Sequence, residues 1–311
     1  MKIDGHEILL THENKPMFPN SGITKGDVID YYQKIANYML PYLQDRPLTL
    51  HRFPEGIHHN GFFQKNAADY FPNWIKTTKV KKKDGWVNHV ICDSAATLIY
   101  LANLGTLTFH ITLSKIDKLD YPDKLIFDLD PPNGAFGQVV ASAETLRSLL
   151  ENELGLTTYP MLTGSSGIHL VVPLDQSENF DGVRAFAKNL AAYLAKKHPK
   201  DFTIKIRKDQ RKGRLFLDYL RNSYAQTAVC PFTVRAFENA PIAVPIGWNE
   251  LQNGIQNARA YTIDTILDRL KNKSDPWKDF GKKPHHLNDA KAKLEKLTII
   301  DIGVDITSKY I

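Results

Sequence analysis

Cysteine is almost absent from this chain. Of 311 residues only Cys92 and Cys230 carry a thiol, which excludes a disulfide framework and a cysteine-built zinc knot. No apolar run approaches the roughly 18 residues needed to cross a bilayer, and no apolar signal-type segment opens the sequence. These absences point to a reduced cytosol and to no membrane partner. The 18 glycines and 17 prolines follow no period, and no heptad is sustained, so collagen-like and coiled-coil architectures are excluded. Large apolar residues are not depleted: the chain is 42% hydrophobic and 10% aromatic, enough for a sizeable core. Charge of one sign is scarce as well. Forty Lys and Arg against 34 Asp and Glu leave +6, a modest excess that suits a polyanionic partner without demanding one.

What is present is an alternation of strand-like and helix-like segments without a flexible linker. Thr24, followed three residues on by Asp27, reads as a capping box for a helix running through Val28, Tyr31, Tyr32, Ile35 and Met39 to about Leu43. A strand is expected around Ile8–Leu10. Trp74–Lys81 and Trp86–Cys92 read as a hairpin with a basic Lys-Lys-Asp-Gly tip. Ser94–Leu104 reads as helix, Leu107–Leu113 as strand, and Val139–Leu154 as a helix closed by Gly155. Thr157–Thr163 and Ile168–Pro173 are strands around a Gly-Ser-Ser-Gly turn, and Val183–Lys197 is the next helix. Phe202–Arg207 and Arg214–Tyr219 read as a second strand pair around a basic loop, and the chain from Ile263 onward as mostly helical. The expectation is an α/β (α+β) fold with mixed central β-sheets flanked by helices.

The chemistry concentrates in the middle of the chain. Lys124–Asp130 is a short apolar strand stopped by Pro131 and Pro132. In a strand, residues i and i+2 point to one face, so Asp128 and Asp130 project side by side. Two adjacent carboxylates repel unless a cation lies between them, and all-oxygen ligands suit Mg²⁺ or Mn²⁺; both residues could instead cap the Pro-Pro turn. Leu215–Asp218 repeats the pattern of an apolar run ending in a carboxylate. If the two strands are neighbours, three carboxylates converge, enough for two divalent ions and for nucleotidyl transfer. The turn Thr163–His169 offers an anion cradle, with glycines that let successive N–H groups face one side, the Ser165 hydroxyl, and His169 on the returning strand.

Basic and aromatic residues add to this. Lys205–Arg214 holds six cations in ten residues and leads directly into the Asp218 segment, where phosphates would sit. Arg235 is a further candidate for a triphosphate clamp. The Lys79–Lys83 run could be a second backbone contact, although charged turns are usually only solvated, and His58-His59, without a third ligand in sequence, reads as surface. Adjacent Phe62 and Phe63 cannot both be buried easily in a strand, and an exposed ring could stack on a base.

Taken in order, the segments M-F-P-N-S-G-I-T-K-G-D-V-I-D-Y-Y, G-F-F-Q-K-N, C-D-S-A-A-T-L, F-D-L-D-P, T-G-S-S-G-I-H-L, F-L-D-Y-L-R-N, P-F-T-V-R-A and S-D-P-W-K-D-F resemble the polymerase domain of bacterial DNA ligase D, within the archaeo-eukaryotic primase superfamily. They cover roughly residues 5 to 285. The resemblance implies that Asp128, Asp130 and Asp218 are metal ligands and that Ser165, His169 and Arg235 hold the triphosphate. It also implies that Thr163 lies near the incoming sugar, with His110 and Arg52 near the nucleotide. Lys15 and Lys25 would grip the 5′-phosphate of a downstream strand, Phe62 and Phe63 would stack on template bases, and Arg211 would sit in a loop that aligns DNA ends. Three positions depart from the family pattern: Ser166 and His51 stand where Lys is common, and Arg221 where an amide is common. They bear on sugar preference and efficiency.

By the same resemblance the chain would be one primase-polymerase catalytic domain over 1–311, with a DNA-binding surface in about 1–120 and the metal and nucleotide site in 121–300. It would act in non-homologous end joining on DNA with 5′-phosphorylated gaps or ends, using nucleoside triphosphates, favouring ribonucleotides and Mn²⁺. A Ku-like protein and an ATP-dependent DNA ligase activity would be its partners, in a prokaryotic cytoplasm at the nucleoid. Two alternatives are a phosphohydrolase of the haloacid dehalogenase type, which also opens on Asp-x-Asp, and a non-catalytic DNA-end binding module.

Overall fold

A computed structural model describes residues 1–131 and 134–300. Pro132, within the expected Pro-Pro stop, lies outside the described residues. Two four-stranded sheets organise the molecule. In the first the order is Thr227–Val229, Thr106–Thr112, Leu48–Arg52, Phe62–Gln64; in the second it is Lys124–Leu129, Ile168–Pro173, Tyr159–Leu162, Val244–Pro245. Every pairing in both sheets is antiparallel. The segment Thr227–Val229 closes the edge of a sheet otherwise built before residue 120, so the two halves of the chain interlock.

The local elements follow from the residues. Helix Lys25–Leu43 starts where the capping box predicts: the Asp27 N–H donates to the Thr24 hydroxyl at 3.2 Å, and the Thr24 N–H donates to the Asp27 carboxylate at 2.8 Å. Its buried face, including Tyr32, Ile35 and Met39, lies in one continuous apolar core with Phe109, Phe127 and Leu170. The strand Lys124–Leu129 is buried at every position, and so is Ile168–Pro173, which is why both read as mostly apolar runs, interrupted by the site residues Asp128 and His169. Helix Ala95–Asn103 is capped by Ser94, and helix Phe180–Lys197 by Asn179.

Four expectations are corrected. No strand forms at Ile8–Leu10; instead Lys2–Ile3 pairs with His6–Glu7, because Asp4 and Gly5 take φ of 48° and 80° and close a tight hairpin. The segments around the basic loop do not form a hairpin. Phe202–Thr203 and Leu215–Phe216 pair in parallel over two residues each, the one parallel pairing of strands among the described residues. The loop folds on itself instead, with a 3₁₀ turn at Lys208–Gln210 and Arg214 Nε donating to the Arg211 carbonyl at 2.9 Å. A flat hairpin would set its six cations opposite one another, which is destabilising. Helix Phe136–Ser148 begins three residues earlier than expected and ends in a π-helical turn, Leu149–Glu153. Beyond Ile263 the helices are Ile266–Asn272 and Asn288–Ile300, separated by turns around Pro276.

Candidate active site

The end of strand Lys124–Leu129 receives the third carboxylate from outside the sheet. A single antiparallel bridge pairs Asp128 with Asp218. On its other side Asp128 pairs with His169 in the strand Ile168–Pro173, and the His169 Nε2 lies 3.5 Å from Asp128 Oδ1. Asp128 therefore sits between a carboxylate and an imidazole. Asn222 braces this junction from the core, its amide donating to the Ile126 carbonyl and accepting from the Ile126 N–H, both at 2.8 Å.

A small cavity of about 180 Å³ opens here, lined by His110, Asp128, Asp130, Thr163, Ser165, His169, Arg221, Val229 and Arg235. The turn Thr163–Gly167 forms one wall. Its shape comes from Thr163, whose hydroxyl donates to the Gly167 carbonyl at 3.0 Å and accepts the Gly167 N–H at 3.2 Å and the Ser165 N–H at 3.3 Å. Gly167 is required by contact: a Cβ there would stand 2.1 Å from the Leu129 carbonyl oxygen. Arg235 donates to the Thr163 carbonyl, and Arg259 Nε donates to the Ser165 carbonyl at 2.9 Å, so two guanidinium groups grip the turn.

Each carboxylate has found a protein donor. Arg221 Nη2 lies 2.6 Å from Asp128 Oδ2, Ser166 Oγ donates to Asp130 Oδ1 at 2.7 Å, and the Leu220 N–H donates to Asp218 Oδ1 at 2.9 Å. Among the described residues no three His, Cys, Asp or Glu side chains are gathered as a ready ligand set. The residues nevertheless fit divalent cations. The candidate donors are carboxylate oxygens, and the charge of Asp128 acts on both Asp130 and Asp218. Burial, and then the charge of Asp128, push the Asp130 carboxyl above the usual carboxylate range; burial raises Asp218 too, against the charge of Arg221 and with the help of Asp128. Burial also pushes Asp128 upward, but His169 and Arg221 more than offset it and hold Asp128 below its ordinary value.

The cavity also depresses its bases. Burial, aided by the charge of Arg235, pushes His110 down to about 3, so it stands as a neutral imidazole at physiological pH. Burial pushes the Arg235 guanidinium down to about 10, against the pull of Asp128 and Asp130. A buried guanidinium weakened by desolvation gains most from an added anion.

The structure brings together Asp128, Asp130, Asp218, His110, Thr163, Ser165, His169 and Arg235. Arg52 is not among the residues lining the cavity. It donates to the Leu104 carbonyl at 2.7 and 3.1 Å and to Gln64 at 2.7 Å. Phe62 and Phe63 are 46% and 59% exposed, the latter stacked on His51 with centroids 4.0 Å apart. Lys15 donates to Glu55 at 3.0 Å and Lys25 to the Thr11 hydroxyl at 3.1 Å. Burial and then the charge of Lys15 lower the Lys25 ammonium, a mark of two cations held close. Arg211 folds back on its own loop, donating to the Ile206 carbonyl at 2.8 Å and lying 4.3 Å over the Phe216 ring.

Sequence reasoning placed Arg221 near the nucleotide without a role, and Arg259 escaped notice. The signal for Arg221 was available: it follows Asp218 by one turn's spacing. Arg259 carries no such signal, because only the fold brings it to the Ser165 turn.

Comparisons with known proteins identify the family. Residues 24–277 match the family described as LigD, primase-polymerase domain. The chain is 34% identical over 280 residues to the bifunctional non-homologous end joining protein LigD of Bacillus subtilis, covering 89% of this chain and 45% of that protein. It is 32% identical over 266 residues to the multifunctional LigD of Mycolicibacterium smegmatis, covering 85% and 34%. The chain thus spans less than half the length of these relatives. The solved polymerase domain of Mycobacterium tuberculosis ligase D in complex with DNA superposes with a TM-score of 0.82 at 29% identity, over 90% of this chain and 99% of that one. Neither the phosphohydrolase nor the non-catalytic reading is favoured by these likenesses. The chain belongs to the LigD primase-polymerase domain family, and it is a DNA-directed nucleotidyltransferase.

Proposed function

We propose that this protein fills gaps and extends ends of DNA during non-homologous end joining, working as one catalytic unit with its DNA surface before residue 120. The observation that supports the reading is the Asp128–Asp218 bridge, which pairs a third acidic residue with Asp128, itself in the cavity with Asp130 and the Thr163 turn. Asp128, Asp130 and Asp218 would hold two divalent ions, Mn²⁺ or Mg²⁺, which lower the pKa of an attacking hydroxyl and stabilise charge on the departing group. The chain's own residues do the rest. Arg235, His169 and Ser165 present donors to the triphosphate. Neutral His110 donates or accepts one hydrogen bond without adding charge, and the cavity, too small for a whole nucleotide, leaves sugar and base to the open side toward Phe63.

The DNA contacts rest on the same reading. Lys15 and Lys25 form a cation pair suited to a 5′-phosphate, and exposed Phe62 and Phe63 suit base stacking. Arg211 belongs to a basic loop that follows a phosphate backbone. Arg52 braces the Phe62 strand, lying 5.4 Å from that ring, and would act on the nucleotide through that strand. A DNA-bound neighbour supports the partner class. Preference for ribonucleotides, a Ku-like partner, a ligase to seal the product and a place at the nucleoid complete the proposal. No described helix is long and apolar enough to cross a membrane.

The test is primer extension on gapped DNA with ribo- and deoxynucleotides, with and without a 5′-phosphate. Incorporation that needs Asp128 and a divalent ion is the expected result; DNA retention with no incorporation under any metal would sink the proposal.

A further inference from the structure

Of the two guanidinium groups lining this cavity, Arg221 is the one in direct contact with Asp128. Its Nη2 is 2.6 Å from Asp128 Oδ2, its Nη1 donates to the Thr227 carbonyl at 3.2 Å, and its Nε is buried without a partner. Asp128, Asp218 and Asp130 all favour its charged form. The side chain is not locked in the core: it is 31% exposed and lines the cavity mouth. One orphaned donor and one exposed face describe a group with another place to go.

Electrostatics makes the pair exclusive. Asp128 is buried, and an unpaired buried carboxylate is costly, so it keeps a cation at all times. A guanidinium on Oδ2 removes one of its two oxygens from a ligand set and repels a second cation at the same spot. Asp130 and Asp218 accept hydrogen bonds from the Ser166 hydroxyl and the Leu220 N–H, neutral donors that are weaker claims than the guanidinium contact on Asp128.

We propose that Arg221 is the built-in counter-cation of this cluster, occupying Asp128 in the resting protein and releasing it only when a divalent ion binds. The inference rests on the metal-dependent reading above and deepens it: Arg221 sets the metal concentration at which the site becomes competent. On release the guanidinium remains tethered beside Thr227, at the cavity mouth.

The test is Mn²⁺ binding by calorimetry to the wild-type chain and Arg221→Gln, without nucleotide or DNA, with Asp128→Asn as the control expected to bind more weakly than wild type. Arg221→Gln is expected to bind Mn²⁺ at least about tenfold more tightly and to show a larger Mn²⁺-induced rise in melting temperature. Equal or weaker binding by Arg221→Gln would overturn the proposal, as would the absence of binding to either protein. Should the variant not fold, the Arg221 Nε–Hε resonance of the wild type decides. It is expected to shift as Mg²⁺ fills the site, and a fixed resonance at saturation refutes release. The outcome is separable from the polymerase reading: that reading fails on lack of nucleotide incorporation whatever the affinity difference.

Discussion

Asp128 and Asp218 face each other across an antiparallel bridge, although long stretches of chain separate them and they belong to different strand systems. A buried and a half-buried carboxylate in register are a destabilising arrangement unless cations balance them. Here Arg221 and His169 balance Asp128, while burial leaves Asp130 and Asp218 raised.

The first prediction concerns that bridge. Asp218→Ala should lower nucleotide incorporation by about 10³-fold or more while changing DNA affinity little, since the residue supplies charge at the reacting centre and not to the DNA surface. Primer extension beside a gel-shift measurement checks both halves. A variant that keeps extending would remove Asp218 from the ligand set.

Turn geometry supplies the second. Gly167→Ala would press a methyl group into the Leu129 carbonyl and Asp130, so the turn must move. We expect a loss of about 1–3 kcal/mol in stability and a lower kcat/KM for the nucleotide. Gly137→Ala, in a helix where a Cβ meets nothing within 4 Å, is the control and should be neutral or slightly stabilising. Urea titration of the two variants separates them.

Lys25 yields the third. Its ammonium lies close to that of Lys15 and is lowered by burial, so a phosphate dianion between them relieves both desolvation and repulsion. Lys25→Ala should erode the preference for 5′-phosphorylated over 5′-hydroxyl gaps and reduce the salt dependence of binding by about one counter-ion. Affinity measured for both gap types across salt concentrations tests this; an unchanged ratio rejects the assignment.

The fourth lies away from the site. Glu250 accepts from Arg269 at 2.8 and 2.9 Å, from Tyr261 at 2.5 Å and from Lys273 at 3.1 Å. Burial raises its carboxyl, but these partners prevail and push it down to about 2 from 4.5. The folded state thus binds the proton less readily than the unfolded chain. The contribution, on the order of 3 kcal/mol, is present above about pH 4.5 and is lost as pH falls toward 2. Glu250→Gln should be less stable than wild type at pH 7, and the gap should close with acidification. Denaturant melts from pH 7 to pH 3 provide the check.

Local chemistry is legible in the sequence itself. The Thr24–Asp27 capping box, the buried strand Ile168–Pro173, the side-by-side Asp128 and Asp130, and the exposed phenylalanines all follow from interactions within a few residues of chain. The hairpin at Asp4-Gly5 was equally local and was missed because Ile8–Leu10 looked more strand-like; Leu9 is in fact exposed.

The amino-acid sequence by itself determined the α+β character, the helix and strand segments of the core, and which carboxylates, histidines and arginines were available for chemistry. Capping, side-chain alternation and apolar periodicity act over one or two turns and are written in neighbouring residues. Tertiary structure alone decided that Phe202–Thr203 pairs in parallel with Leu215–Phe216, that Asp218 stands opposite Asp128, and that Arg221 and Arg259 reach the site. Those contacts join segments far apart in the chain. They are set by which apolar faces bury together and by how buried charges find partners, and no short stretch of residues records that choice.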